Sequence, residues 1–117
     1  GAFSSSSFQL DSGAVFSFWK NESLESNITD WVEMPYLTST DLKPHDYFGG
    51  SVALWKSTAV IGAYLDENIG AKSGSVYIFN YIDGGWKEQQ KLTSLGGIVA
   101  ADYFGQSVDI YEDSIIV

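Results

Sequence analysis

The sequence is defined first by what it does without. Its 117 residues include no cysteine, two prolines, one methionine and one histidine. Disulfides and thiolate chemistry are therefore excluded, although the absence of cysteine does not fix the compartment. Lysine and arginine total six against fifteen acidic residues, giving a formal charge of -9 and no basic cluster. Such a surface repels nucleic-acid phosphates and anionic lipid heads, so neither is expected as a partner. No apolar run approaches the roughly 18 residues that cross a bilayer, so no membrane insertion is expected. No basic segment leads into an apolar one, so no signal peptide is read within these residues.

What is present is glycine and aromatic side chains. Twelve glycines accompany 44% hydrophobic and 15% aromatic residues, a composition able to form a core and suited to short strands and tight turns. Self-comparison organises them. Asp46-Tyr47-Phe48-Gly49-Gly50-Ser51-Val52 returns as Asp102-Tyr103-Phe104-Gly105-Gln106-Ser107-Val108, 56 residues on. Ser12-Gly13-Ala14-Val15-Phe16-Ser17-Phe18 returns as Ser73-Gly74-Ser75-Val76-Tyr77-Ile78-Phe79, at a spacing of 61. Trp31-Val32-Glu33 with Leu37-Thr38-Ser39 returns as Trp86-Lys87-Glu88 with Leu92-Thr93-Ser94, at 55, and Thr58-Ala59-Val60-Ile61 matches Ser114-Ile115-Ile116-Val117, at 56. Four blocks in the same order mark a repeat architecture.

Each block reads as a strand. Ser75 to Tyr81 alternates small or polar with apolar residues, as a buried strand does. Trp86 to Leu92 is more polar and suits an outer strand. Asp83-Gly84 between them is a hairpin signal, and Lys56-Ser57 joins a further pair. Residues 20–30 are six longer than the matching connection and read as a polar surface loop. No segment has sustained helical periodicity. The expected fold is all-β: four strands per unit at a period near 56 fits a β-propeller, here one complete four-stranded blade flanked by two half-blades. The bounds expected are 1–45 for the first half-blade with its insertion at 20–30, 46–93 for the complete blade, and 94–117 for a linker and the next half-blade.

The motifs Phe48-Gly49 and Phe104-Gly105, with Val60-Ile61-Gly62-Ala63, resemble the FG-GAP repeat. That repeat builds the seven-bladed propeller heading integrin α chains and occurs in many microbial and protist surface proteins. The run Ser73 to Phe79 followed by Trp86 to Thr93 looks most like the microbial branch. Tyr64 departs from the family, where proline is frequent, but the glycine and alanine that the packing requires are kept. The structural motif is thus Phe48, Gly49, Gly62, Ala63, Gly74, Phe104 and Gly105. Gly49 and Gly105 are expected to give room to a neighbouring blade's aromatic residue, and Gly62-Ala63 to end an inner strand where converging blades leave little space. Phe48 and Phe104 are expected to be buried in equivalent settings. Gly1-Ala2 matches Gly62-Ala63, and the next such pair would fall after Val117. The remaining blades are therefore expected from a longer protein, as the first partners of these residues.

No cofactor, metal or catalytic residue is expected. In some family members calcium binds the turn before the Gly-Ala strand, but Trp55-Lys56-Ser57-Thr58 and Tyr111-Glu112-Asp113-Ser114 lack the alternating oxygen donors that a calcium loop needs. Asp66-Glu67-Asn68-Ile69-Gly70 is acidic without that alternation. His45 has Ala101 as its counterpart and no nucleophile is apparent beside it, so it reads as a solvated residue or a partner of Asp46. Recurrence of Trp31 at Trp86 favours packing over sugar stacking, whereas Trp19 and Trp55 are not repeated. Asn21-Glu22-Ser23 and Asn27-Ile28-Thr29 are glycosylation sequons inside the surplus loop. The function implied is a non-catalytic extracellular or cell-surface module for adhesion, protein–protein interaction or assembly, with other extracellular proteins as partners. The alternative is an accessory propeller of a larger secreted hydrolase acting on glycans or lipids.

Overall fold

The computed structural model describes residues 12–22, 29–67, 72–95 and 100–117. Eight strands follow one another: β1 (Phe18–Glu22), β2 (Thr29–Glu33), β3 (Phe48–Trp55), β4 (Thr58–Ala63), β5 (Ser75–Ile82), β6 (Gly85–Leu92), β7 (Asp109–Tyr111) and β8 (Ser114–Ile116). Among the described residues there is no helix. The strands form a two-stranded sheet β1-β2, a four-stranded sheet β3-β4-β5-β6 and a two-stranded sheet β7-β8. Consecutive strands pair antiparallel throughout. The four strands expected between Phe48 and Leu92 are therefore present in sequence order, and the fold is all-β.

Local sequence explains the joints. Asp83 and Gly84 both adopt positive φ, 52° and 79°, which is the backbone of the tight hairpin turn whose twist matches its strands. Lys56 and Glu112 open the two equivalent β3–β4 and β7–β8 turns at φ 51° and 50°. The 20–30 connection is shorter than its sequence suggests. Lys20 to Glu22 prolong β1, and Thr29 and Asp30 open β2, so the strands extend into both ends of the expected loop. Antiparallel pairing satisfies these backbone groups better than an open loop could.

The repeat is exact in register. Phe18↔Glu33, Trp19↔Val32 and Lys20↔Trp31 reproduce Phe79↔Glu88, Asn80↔Lys87 and Tyr81↔Trp86 through the sequence spacings. The isolated bridge Val15↔Leu37 likewise reproduces Val76↔Leu92. Asp109↔Ile116, Ile110↔Ile115 and Tyr111↔Ser114 reproduce Ala53↔Val60, Leu54↔Ala59 and Trp55↔Thr58. Thus β1-β2 is the outer half of a four-stranded unit, and β7-β8 is the inner half of another.

The core lies between units. Alternation along β4 sends Ala59, Ile61 and Ala63 to one face, where they pack with Val15, Leu37, Phe48, Tyr77 and Phe79. Val60 joins Val76 and Ile110 on the other face, with Ala53, Trp55, Phe104 and Val108 around them. Because β4 is covered on both faces, Ala59 to Ala63 are all buried. β6 is an edge strand with four consecutive exposed residues, Lys87 to Gln90, and its charges discourage further pairing.

Phe48 is fully buried, edge-on to Tyr77 at 5.3 Å and to Phe79 at 6.0 Å between ring centroids. Phe104 sits on the same backbone feature but is only half-buried, so the two settings are not equal. The rings that cover Phe48 come from the third strand of its unit, and β7-β8 supplies only two strands. Replacing Phe48 by alanine is therefore expected to cost about 4 kcal/mol, and Phe104→Ala about half as much. Denaturant titration of the two variants distinguishes these values.

Candidate functional site: the seam between repeat units

Asp46 to Gly49 and Asp102 to Gly105 share an unusual backbone. Positive φ occurs at His45 (71°), Tyr47 (57°) and Gly49 (90°), and again at Ala101 (71°), Tyr103 (52°) and Gly105 (90°). Non-glycine residues pay roughly 1 kcal/mol or more for such conformations, so repetition of the same strain at matching positions marks a constraint of the repeat. The coil turns the Phe amide outward, toward the preceding unit. Phe48 N–H donates to the Ser12 carbonyl at 2.9 Å, and Phe104 N–H to the Ser73 carbonyl at 2.9 Å.

Beside each bond lies a glycine that admits no side chain. A Cβ on Gly13 would come within 2.0 Å of the Phe48 carbonyl oxygen, and one on Gly74 within 2.1 Å of the Phe104 oxygen. Both glycines also have positive φ, 92° and 82°. Gly62 and Gly105 complete the seam. A Cβ on Gly62 would lie 2.0 Å from the Gly105 oxygen, to which the Ser51 hydroxyl donates at 2.6 Å. What presses on Gly105 is the Ser75 carbonyl, a Val76 methyl and the Gly62 Cα. The expected aromatic neighbour is thus replaced at Gly105 by backbone. Gly62, next to last in β4, lies in a place without space for a side chain, and Ala63 after it is buried. Sequence reading placed Gly49, Gly105 and Gly62 where neighbouring units meet, but gave Gly13 and Gly74 no part in that seam.

A second feature escaped the sequence altogether. Asp66, Tyr77 and Lys91 of the 46–93 unit meet Asp41 from the segment before it, with Asp46 nearby. Lys91 Nζ contacts both the Asp41 and Asp66 carboxylates, the latter at 2.6 Å, and Asp66 is almost wholly buried. The Tyr77 hydroxyl lies 3.2 Å from Asp41 and 3.3 Å from Asp66, so its single proton serves one carboxylate at a time. Asp46 accepts from the Lys43 amide at 2.7 Å. The hydrogen bond from Lys91 holds the Asp41 carboxyl below its ordinary range. Burial raises the Asp46 pKa, and burial beside Asp66 and Asp41 raises that of Tyr77. Burial opposes the charge on Lys91, yet the two carboxylates override it and its pKa is raised. The cluster joins four separate segments, and Tyr36 stands where Lys91 would be in the preceding unit. No periodic signal could have shown it.

The other sequence candidates separate. Asn21 is exposed on β1, opposite Asp30, whereas Asn27 lies outside the described residues, as do Asn68 to Gly70 of the acidic loop. His45 is exposed at a strained backbone position. Trp86 packs edge-on to Tyr81 at 5.3 Å and donates its indole N–H to Ser17 of the preceding unit at 3.0 Å. Trp31, expected to pack likewise, is 67% exposed. Sharing a register with Trp86 does not bury it, because Lys20 stands opposite Trp31 where Tyr81 packs on Trp86, and the Ser17 bond to Trp86 comes from the neighbouring unit. Trp55 meets Tyr111, its own counterpart, at 4.6 Å. Among the described residues no group of three or more histidine, cysteine, aspartate or glutamate side chains is placed to hold a metal.

Two outcomes follow. Gly62→Ala is expected to lower stability by at least about 2 kcal/mol, because backbone rather than a movable side chain resists the new methyl; chemical denaturation measures this. Lys91→Met is expected to cost about 3 kcal/mol near neutral pH, leaving Asp66 buried without its cation. Lys91 and Tyr77 keep their protons in the folded chain above their ordinary values of 10.5 and 10.0. Both contributions are complete below those values and fade as the pH rises through the raised ones. Wild-type stability should therefore fall as the pH climbs above about 10, and less steeply in Lys91→Met.

The FG-GAP repeat family model matches residues 31–79 and 86–117. No curated protein and no solved structure matches the chain. The matched segments hold both Phe-Gly strands, the Gly62-Ala63 strand end and one of the two Ser-Gly clamps, and the chain belongs to the FG-GAP repeat family.

Proposed function

We propose that the chain is part of a non-catalytic β-propeller that works outside the cell or on its surface, in adhesion or assembly with other proteins. The observation that carries this reading is how the FG-GAP repeat is used: its glycines and Phe-Gly strands join one unit to the next, which leaves the outer surface available for partners. The charged groups that come closest to a reactive constellation, Asp41, Asp66 and Lys91, are paired with one another, a structural rather than chemical use. No helix of the described residues is long and apolar enough to cross a membrane. The exposed Asn21 sequon on β1 suits a secreted glycoprotein, and Asn27 belongs to the same proposal.

Native protein on intact cells should react with a membrane-impermeant amine label, and Asn21 in its tryptic peptide should carry a glycan, lost from that site in Ser23→Ala whether or not Asn27 is also occupied. Labelling only after cell lysis would overturn the extracellular reading.

A further inference from the structure

One apolar pair on the β1-β2 hairpin is exposed although the sheet beside it is in place. Trp19 and Val32 stand directly opposite each other, so they share one face of the hairpin. They are 49% and 39% exposed. The alternate residues ahead of Trp19 point the same way and meet the four-stranded sheet. Val15 is buried in the core with Phe48, Ile61 and Phe79, and Ser17 accepts the Trp86 indole N–H. Cover thus falls along one face, from buried Val15 through half-buried Ser17 to exposed Trp19 and Asn21. The four-stranded sheet lies on this side and stops short of Trp19.

The same positions are polar in the complete unit. Asn80 pairs with Lys87 where Trp19 pairs with Val32, and Asn80 accepts a hydrogen bond from the Thr58 hydroxyl. Trp55 and Trp86 each pack edge-on against a tyrosine, whereas Trp19 has no aromatic partner among the described residues. One step further along the same face is Asn21, exposed and opposite Asp30. Alternation sets it about 7 Å from Trp19 along the strand, with Val32 on the diagonal. Ile82 stands where Asn21 would recur. An exposed apolar pair and a sequon, both peculiar to this unit, therefore fall on one patch.

We propose that the first sugar of a glycan on Asn21 folds back over Trp19 and Val32, so that the chain's own glycan covers this patch. The proposal rests on the secretory reading given above. A pyranose ring carries C–H groups on one face, and the negative face of an indole attracts them while the hydroxyls stay in water. Strand geometry places the asparagine beside the ring before any sugar is attached, so stacking costs little further freedom. The sugar then shields apolar surface that the neighbouring sheet leaves open. Trp19 positions the glycan, and the glycan fixes the rim of the hairpin.

Hydroxyl-radical footprinting of the secreted protein tests this. After labelling, the glycan is removed and the protein digested, and Lys20 places Trp19 and Trp31 on separate tryptic peptides. Trp31, opposite Lys20 on the other face of the hairpin, is the internal reference. Labelling of Trp19 should rise several-fold in Ser23→Ala and stay low in Ser23→Thr, which keeps the sequon. It should also stay low after an endoglycosidase trims the glycan to its first sugar, with Trp31 unchanged throughout. Release of the glycan from native protein by an amidase should be several-fold faster in Trp19→Thr, and an unchanged rate overturns the proposal. Occupied Asn21 with equal Trp19 labelling in wild type and Ser23→Ala overturns it while leaving the secretory reading standing. Loss of protection on trimming to one sugar overturns the assignment to the first sugar. A rise at Trp31 as large as that at Trp19 reports a loosened hairpin and also overturns it. Unmodified Asn21 removes the glycan itself, and the stacking with it.

Discussion

Everything in this molecule depends on how closely one unit's backbone approaches the next. At Gly13 and Gly74 the neighbouring phenylalanine carbonyl occupies the space where a side chain would begin. That approach lets the Phe48 and Phe104 amides bond to the preceding unit, and it explains the strained coil that precedes each phenylalanine. Residues as different as His45 and Ala101 take the same left-handed conformation at matching positions. Backbone geometry, set by the seam, outweighs the preferences of the residues on it.

Bringing units this close places the hydrophobic core between sheets rather than within one. β4 faces both ways, toward Phe48 and Tyr77 on one side and toward Val76 and Ile110 on the other. Stability therefore belongs to pairs of units, as in other repeat proteins. Trp31 and Trp86 show the consequence, since equal registers leave one exposed and the other packed on Ser17.

The charged cluster is the exception to this periodic logic. Lys91 brings a cation between Asp41 and Asp66 and links β6 to the connections around β3 and β4. A chain with a charge of -9 has few lysines to spare, and this one pairs with two carboxylates where burial makes unpaired charge costly. The cluster ties the segment before β3 to the 46–93 unit, and Tyr36 stands where Lys91 would recur in the preceding unit, which suits a role in holding connections rather than a reaction repeated around a propeller.

The strands, their order and the turn at Asp83-Gly84 were legible in the sequence, because a repeat writes the same local constraint twice. Phe48-Gly49 and Phe104-Gly105 identified the family for the same reason. Other features depended on residues distant in the chain. Nothing in the spacing of Asp41, Asp66 and Lys91 places them together, since β3 and β4 separate the first two and β5 and most of β6 separate Asp66 from Lys91. The neighbours at Gly105 proved to be backbone and a Val76 methyl rather than an aromatic ring, because composition shows that space is needed but not what fills it. Local sequence determined which residues form strands and turns; tertiary packing alone decided which are covered, because that depends on whether a neighbouring unit supplies the opposing surface.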